Sequence, residues 1–121
     1  MKKPLYKSFI YAFRGFWAAL RTERNMKLHV IAAVLAVGAG IYLGLTAAEW
    51  ILVAFAIGFV FTAELFNTAM EILCDEANGG KHSDGIRNCK DISAAAALVA
   101  AITALIIGIV ILIIPFFQKV F

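Results

Sequence analysis

Five polar side chains punctuate twelve residues at the end of an otherwise apolar run, Glu64-Leu-Phe-Asn-Thr-Ala-Met-Glu-Ile-Leu-Cys-Asp75. At about 100° per helical residue, Glu64, Asn67, Thr68, Glu71 and Asp75 fall within an arc of roughly 100°, while Phe66, Ala69, Met70 and Leu73 point the other way. A carboxylate in hydrocarbon costs roughly 3 kcal/mol or more unless it is paired, hydrated or metal-bound, so two glutamates on one face of an apolar helix call for a function. At about 1.5 Å per residue, Glu64 lies roughly 10 Å deeper than Glu71. The deep carboxylate can therefore meet a hydroxyl dissolved in the bilayer, and the shallow one a water-soluble phosphate compound.

Three kinds of chemistry compete for Glu23, Glu64, Glu71 and Asp75. In the first, phosphoryl transfer to a lipid, two shallow carboxylates hold Mg²⁺ bridged to nucleotide phosphates, an ion that binds through one or two carboxylates plus substrate oxygens. Glu64 then takes the proton from the attacking hydroxyl, and Lys90 balances phosphate charge. In the second, the acids form a proton or cation relay. In the third, Asn67, Thr68 and the acids only hydrogen-bond between helices in an assembly protein. A relay should carry acids or histidines across the whole membrane, yet the outer half of every span lacks them. Assembly accounts for Asn67 and Thr68 but not for two ionisable groups on one face. The one-sided distribution suits the kinase reading.

The elements that must position these groups are membrane helices. The 121 residues are 63% hydrophobic and 16% charged, with a mean hydropathy of +0.89. That composition predicts an all-α membrane protein of one small domain, residues 1–121, whose apolar windows approach the roughly 20 residues that cross a ~30 Å hydrocarbon core. The basic start lacks the short apolar core and small-residue cleavage site of a secretory signal. Net charge is +3, and ten of the eleven Lys and Arg precede the first span or fall in the loop before the third. This placement argues against nucleic acid and for a cytoplasmic N-terminus, with Lys119 alone outside. Cys74 and Cys89 then lie on the reducing side, as packing or loop residues.

Residues 5–24 set Leu5, Phe9, Phe13, Phe16 and Leu20 along one stripe and Lys7, Arg14 and Arg21 along another, which predicts a helix lying in the membrane interface. Glu23 ends it as an acid among bases, a solvated partner for Arg21 or Arg24 on the simplest view. Spans are expected over 28–45, 51–70 and 92–117. In the first, Gly40 and Gly44 stand four apart, a spacing that predicts close helix approach. His29 at its entrance reads as an interfacial residue, because no second His or Cys lies at ligand spacing. Residues 46–50, with Glu49, read as a short external turn.

Residues 75–90 form the expected hydrophilic loop, rich in Gly and Asn pairs. Its Gly79-Gly80-Lys81 lacks the GxxxxGK[ST] spacing and the preceding strand of a phosphate-binding loop. Asp91 or Ser93 is the expected N-cap of the third span. Within that span Ser93, Ala97 and Ala101, then Ala104 and Gly108, place small residues four apart for tight packing. Pro115 and Lys119 mark its exit.

The segment from Glu64 to Asp75 resembles the prokaryotic diacylglycerol kinase family of integral membrane lipid kinases. The family pattern E-x-[apolar]-N-[ST]-A-[apolar]-E-x-x-x-D is matched at Glu64, Asn67, Thr68, Ala69, Glu71 and Asp75. Arg14-Gly15, Glu23, His82 and Lys90-Asp91 match as well, so the likeness extends over nearly the whole chain. The resemblance implies an ATP-dependent lipid kinase of the bacterial inner membrane, with Glu64 as general base and Glu23 and Glu71 carrying the Mg²⁺ of Mg-ATP. It further implies that Tyr11, Gly80, Lys81, His82, Lys90 and Asp91 line the nucleotide, that Arg14, Asn67 and Asp75 support the site, and that the protein works as a homotrimer with sites shared between subunits. Three thin spans cannot by themselves enclose a lipid headgroup and a nucleotide.

Two features depart from the family's enteric members. Pro4 stands where they carry an arginine, so Lys3 or Lys7 would have to replace that contact, and the loop after His82 is one residue longer. Members phosphorylate either diacylglycerol or undecaprenol. The run Thr-Glu-Arg-Asn-Met-Lys-Leu-His at 22–29 is more similar to the undecaprenol kinase branch.

Overall fold

The computed structural model describes residues 4–79, 81 and 83–121, and all of its regular structure there is helical. Helix α1 spans Leu5–Thr22, α2 Arg24–Leu43, α3 Ala47–Ala77 and α4 Asp84–Gly108; a π-helical turn, Ile109–Ile113, joins α4 to α5, Ile114–Val120. Three stretches are long and apolar enough to cross a membrane: α2, α3, and the 37-residue run from Asp84 to Val120. At 1.5 Å per residue they measure about 30, 46 and 55 Å, so α3 and α4 outrun a ~30 Å hydrocarbon core.

That surplus corrects the expected loop. Residues 75–90 are mostly helical, because α3 continues through Glu71 and Asp75 to Ala77 and α4 starts at Asp84. The N-cap is neither Asp91 nor Ser93 but Ser83, whose Oγ accepts from the Ile86 N–H at 3.2 Å, with Asp84 in the first turn favoured by the helix dipole. Asn78 and the left-handed Gly79, φ 56°, close α3. Cys89 accordingly sits exposed on α4 rather than in a loop, and Cys74 is buried on α3.

The joint between α1 and α2 is a single extended residue, Glu23, with φ −107° and ψ 120°. The first span therefore starts at Arg24 and ends at Leu43. Its end is fixed by Gly44 at φ 68°: the Gly44 N–H donates to Ile41 O at 3.3 Å and the Leu45 N–H to Gly40 O at 3.3 Å, the paired bonds of a Schellman motif. Of the two glycines expected at a close approach, only Gly40 serves there, a Cβ on it falling 2.7 Å from Trp50 Cη2; at Gly44 nothing lies within 4 Å. Thr46 then opens α3 through a capping box, accepting from the Glu49 N–H at 3.2 Å while Glu49 Oε1 accepts from the Thr46 N–H at 2.9 Å. Glu49 thus belongs to the helix start, not to a free turn.

The most extensive packing is between α3 and α4, along the stripe in which Ala97 and Ala100 are buried. A separate apolar core gathers Val53, Ile111 and Leu112 against Ala39, Leu43, Leu45, Trp50 and Ile107. Pro115 does not end the third span. A proline inside a helix lacks its N–H and crowds the carbonyl four residues back. The bond from the Ile114 N–H to Ile109 O, spanning five residues, loosens that turn and lets the helix run on to Val120.

Candidate active site

Two polar side chains of α2 meet Glu64 on α3. The Glu64 side chain is buried, the residue only 4% exposed. Asn25 Nδ2 on α2 donates toward Oε1 at 3.5 Å, and His29 Nε2, one helical turn further along α2, lies 3.6 Å from Oε2. Both distances are long, so the acceptor capacity of the carboxylate is left open to a hydroxyl. One turn along α3, Asn67 ties the site together: its Nδ2 donates to Glu71 Oε1 at 3.4 Å, and its Oδ1 accepts from Ser93 Oγ on α4 at 2.9 Å. Thr68, also expected to bond between helices, has its buried Oγ1 without a hydrogen-bond partner among the described residues.

The next turn of α3 carries Asp75, exposed and paired with Lys90 Nζ of α4 at 2.5 Å. Lys90 and both glutamates, Glu23 and Glu64, lie within electrostatic range of the half-buried Glu71. Among the described residues no group of three His, Cys, Asp or Glu closes around a metal. Glu23 and Glu71, both partly exposed and within electrostatic range of one another, are a pair of carboxylates of the kind that would hold a Mg²⁺ ion together with substrate oxygens.

The remaining expected site residues are more dispersed. Tyr11 and Arg14 are exposed on α1, the Arg14 guanidinium 5.5 Å from the centre of the Tyr11 ring. Lys81 is exposed between α3 and α4, its carbonyl accepting from the Asn78 amide, and Asp91 is exposed on α4. Gly80 and His82 lie outside the described residues. Sequence reasoning missed Asn25 as a site residue and took His29 for an interfacial one. The signal that points to both is their spacing of four, which puts an amide and an imidazole on one face at the start of an apolar helix.

Two cavities meet near Glu64. A small one of about 330 Å³ is lined by Asn25, His29, Glu64, Asn67 and alanines of α4. It shares His29 and Ala101 with an open apolar groove of about 960 Å³ that runs along α2, α3 and α4 to Tyr42 and Phe116. A buried carboxylate thus lines a small cavity that shares His29 and Ala101 with a greasy groove, and an exposed acid–lysine pair lies further along α3 and α4.

The profile of the prokaryotic diacylglycerol kinase family matches residues 10–112, which include Glu23, Glu64 and Glu71. The chain is 39% identical over 106 residues to the undecaprenol kinase of Bacillus subtilis, covering 88% of this chain and 85% of that protein. It is 35% identical over 118 residues to the diacylglycerol kinase of Synechocystis, covering 88% of this chain and 67% of that protein. The chain belongs to the prokaryotic diacylglycerol kinase family. It is a membrane lipid kinase with three candidate spans.

Proposed function

We propose that the protein transfers the γ-phosphoryl group of Mg-ATP to the primary hydroxyl of a membrane lipid, undecaprenol in preference to diacylglycerol. The observation that carries this reading is the buried Glu64 carboxylate, approached by Asn25 and His29 where a small cavity adjoins the apolar groove. The lipid tail lies in the groove and its hydroxyl reaches Glu64, which takes the proton as the hydroxyl oxygen attacks phosphorus. Glu23 and Glu71 would hold the metal of Mg-ATP, which would supply charge neutralisation on the phosphates. Tyr11, Gly80, Lys81, His82, Lys90 and Asp91 bind the nucleotide, while Asn67 fixes Glu71, Asp75 fixes Lys90, and Arg14 supports the site from α1. The preference for undecaprenol is supported by the 22–29 run and by the likeness to the Bacillus undecaprenol kinase.

In this reading α1 lies in the interface, the N-terminus and site face the cytoplasm, the protein resides in the inner membrane, and residues 1–121 act as one domain. Homotrimerisation encloses the nucleotide, which one exposed cluster on α3 and α4 cannot do. The test offers purified protein labelled ATP with undecaprenol and diacylglycerol side by side. Label is expected in lipid, more in undecaprenol, and Glu64→Gln should lower turnover about 10²- to 10⁴-fold with Mg-ATP affinity unchanged. Full turnover in Glu64→Gln would remove the base; label in neither lipid, with ion flux in liposomes, would favour a relay.

A further inference from the structure

We infer that His29 is the positioning residue of Glu64, fixing the direction of its carboxylate and carrying its proton out of the bundle after each transfer. The inference rests on Glu64 acting as the base. In that reaction the lipid O–H bond breaks, an O–P bond forms, and the β–γ bridging oxygen leaves with ADP and the electron pair of its broken P–O bond. The proton stays on Glu64. It must leave before the next turnover, yet Glu64 is 4% exposed and has no broad contact with water.

His29 is the way out. Its Nε2 lies 3.6 Å from Glu64 Oε2, and the His29 side chain retains 24% of its surface while that of Glu64 retains 5%, so the imidazole, one turn from the exposed Asn25 near the start of α2, touches both the buried acid and a less covered surface. The ring stands edge-on to Phe61, at 6.4 Å between centres and 77° between planes, which limits its rotation. Asn25, on the same face of α2, addresses the other oxygen. An amide cannot accept the proton, and an imidazole can, taking it on one nitrogen and releasing another from the opposite one. The two carboxylate oxygens are therefore unequal: Oε2 takes the hydroxyl proton and hands it to His29, while Oε1 stays with the Asn25 amide.

Glu64 and His29 are the only titratable residues lining the small cavity among the described residues, and α4 offers it Ala94, Ala97, Leu98 and Ala101. The sequence gives His29 no metal-ligand spacing, and no third His, Cys, Asp or Glu joins it and Glu64 in a metal-sized cluster among the described residues.

The experiment measures lipid phosphorylation by the full-length protein in bilayers at saturating Mg-ATP, for wild type, His29→Ala and His29→Gln, with increasing free imidazole across a pH series. Both variants should lose roughly ten- to a hundredfold in kcat with the KM for Mg-ATP unchanged. Imidazole should restore His29→Ala severalfold, in proportion to its neutral form, and should leave His29→Gln, whose side chain fills the space, unrestored. Full turnover in either variant overturns the inference, as does a His29→Ala protein with wild-type thermal denaturation and KM that imidazole does not restore. Should His29→Ala fail to fold, a normal kcat in His29→Gln overturns it equally. A wild-type protein that labels no lipid removes Glu64 as base as well, whereas an active wild type with fully active His29 variants removes His29 alone.

Discussion

At the Tyr42 end of the bundle, α2, α3 and the last turns of the third span meet through Val53, Ile111 and Leu112, with Trp50 set against Gly40 and no buried charge. At the Glu64 end the same three elements meet through Asn25, His29, Glu64, Asn67 and Ser93, with contacts of 2.9 to 3.6 Å and one buried hydroxyl left unpartnered. The first end is apolar throughout and lines the far stretch of the open groove. The second sets polar groups whose bonding is incomplete around a small cavity, the usual condition of a site that waits for a ligand. Apolar contact and polar chemistry are thus separated along the helix axes, and changes at the two ends should register in different measurements.

The largest effect expected from a break in that separation lies at the polar end. Glu23→Gln or Glu71→Gln should raise the apparent KM for Mg-ATP roughly tenfold to a hundredfold, with the loss eased by higher Mg²⁺, while unfolding in detergent stays as in wild type. Magnesium titrations of lipid phosphorylation check this, and an unchanged Mg²⁺ dependence would take both residues out of the ion's shell. Next comes the apolar end. Gly40→Ala puts a methyl 2.7 Å from Trp50 Cη2 and 3.0 Å from Leu45 Cδ1, and should cost about 1–3 kcal/mol in detergent unfolding. Gly38→Ala, with nothing within 4 Å, is the control and should be neutral or slightly stabilising.

The smallest effect concerns Lys119, whose Nζ donates to Tyr42 O at 2.8 Å and stands 4.3 Å from the centre of the Tyr42 ring. Lys119→Met should cost about 0.5–1 kcal/mol in the same unfolding assay and leave the KM for Mg-ATP unmoved. A change in KM from this far end would show that the two regions are coupled.

The three spans were legible because hydropathy over 20 residues has a single outlet, a membrane helix. The polar face of α3 was legible because its members repeat at three and four residues, and the structure does place Glu64, Asn67 and Glu71 together. What sequence reading lost is informative. The charged residues from Asp75 to Lys90 look like a loop, yet most of them extend helices, since a helix beyond the hydrocarbon has no need of an apolar face. Ser83 caps α4 eight residues before Asp91. Gly44 has the spacing of a packing glycine and the backbone of a helix stop, and only φ tells these apart. The contacts of Asn25 and His29 with Glu64 cross 39 and 35 residues, and periodicity within one helix carries no information at that range.

The single extended residue between α1 and α2 has a mechanical consequence. Glu23 is the one non-helical residue between α1 and α2, so the angle between these helices sets where its carboxylate points. That angle is braced by Phe16 of α1 against Phe61 of α3, 5.7 Å between ring centres, so the aromatic contact reaches the acid without touching it.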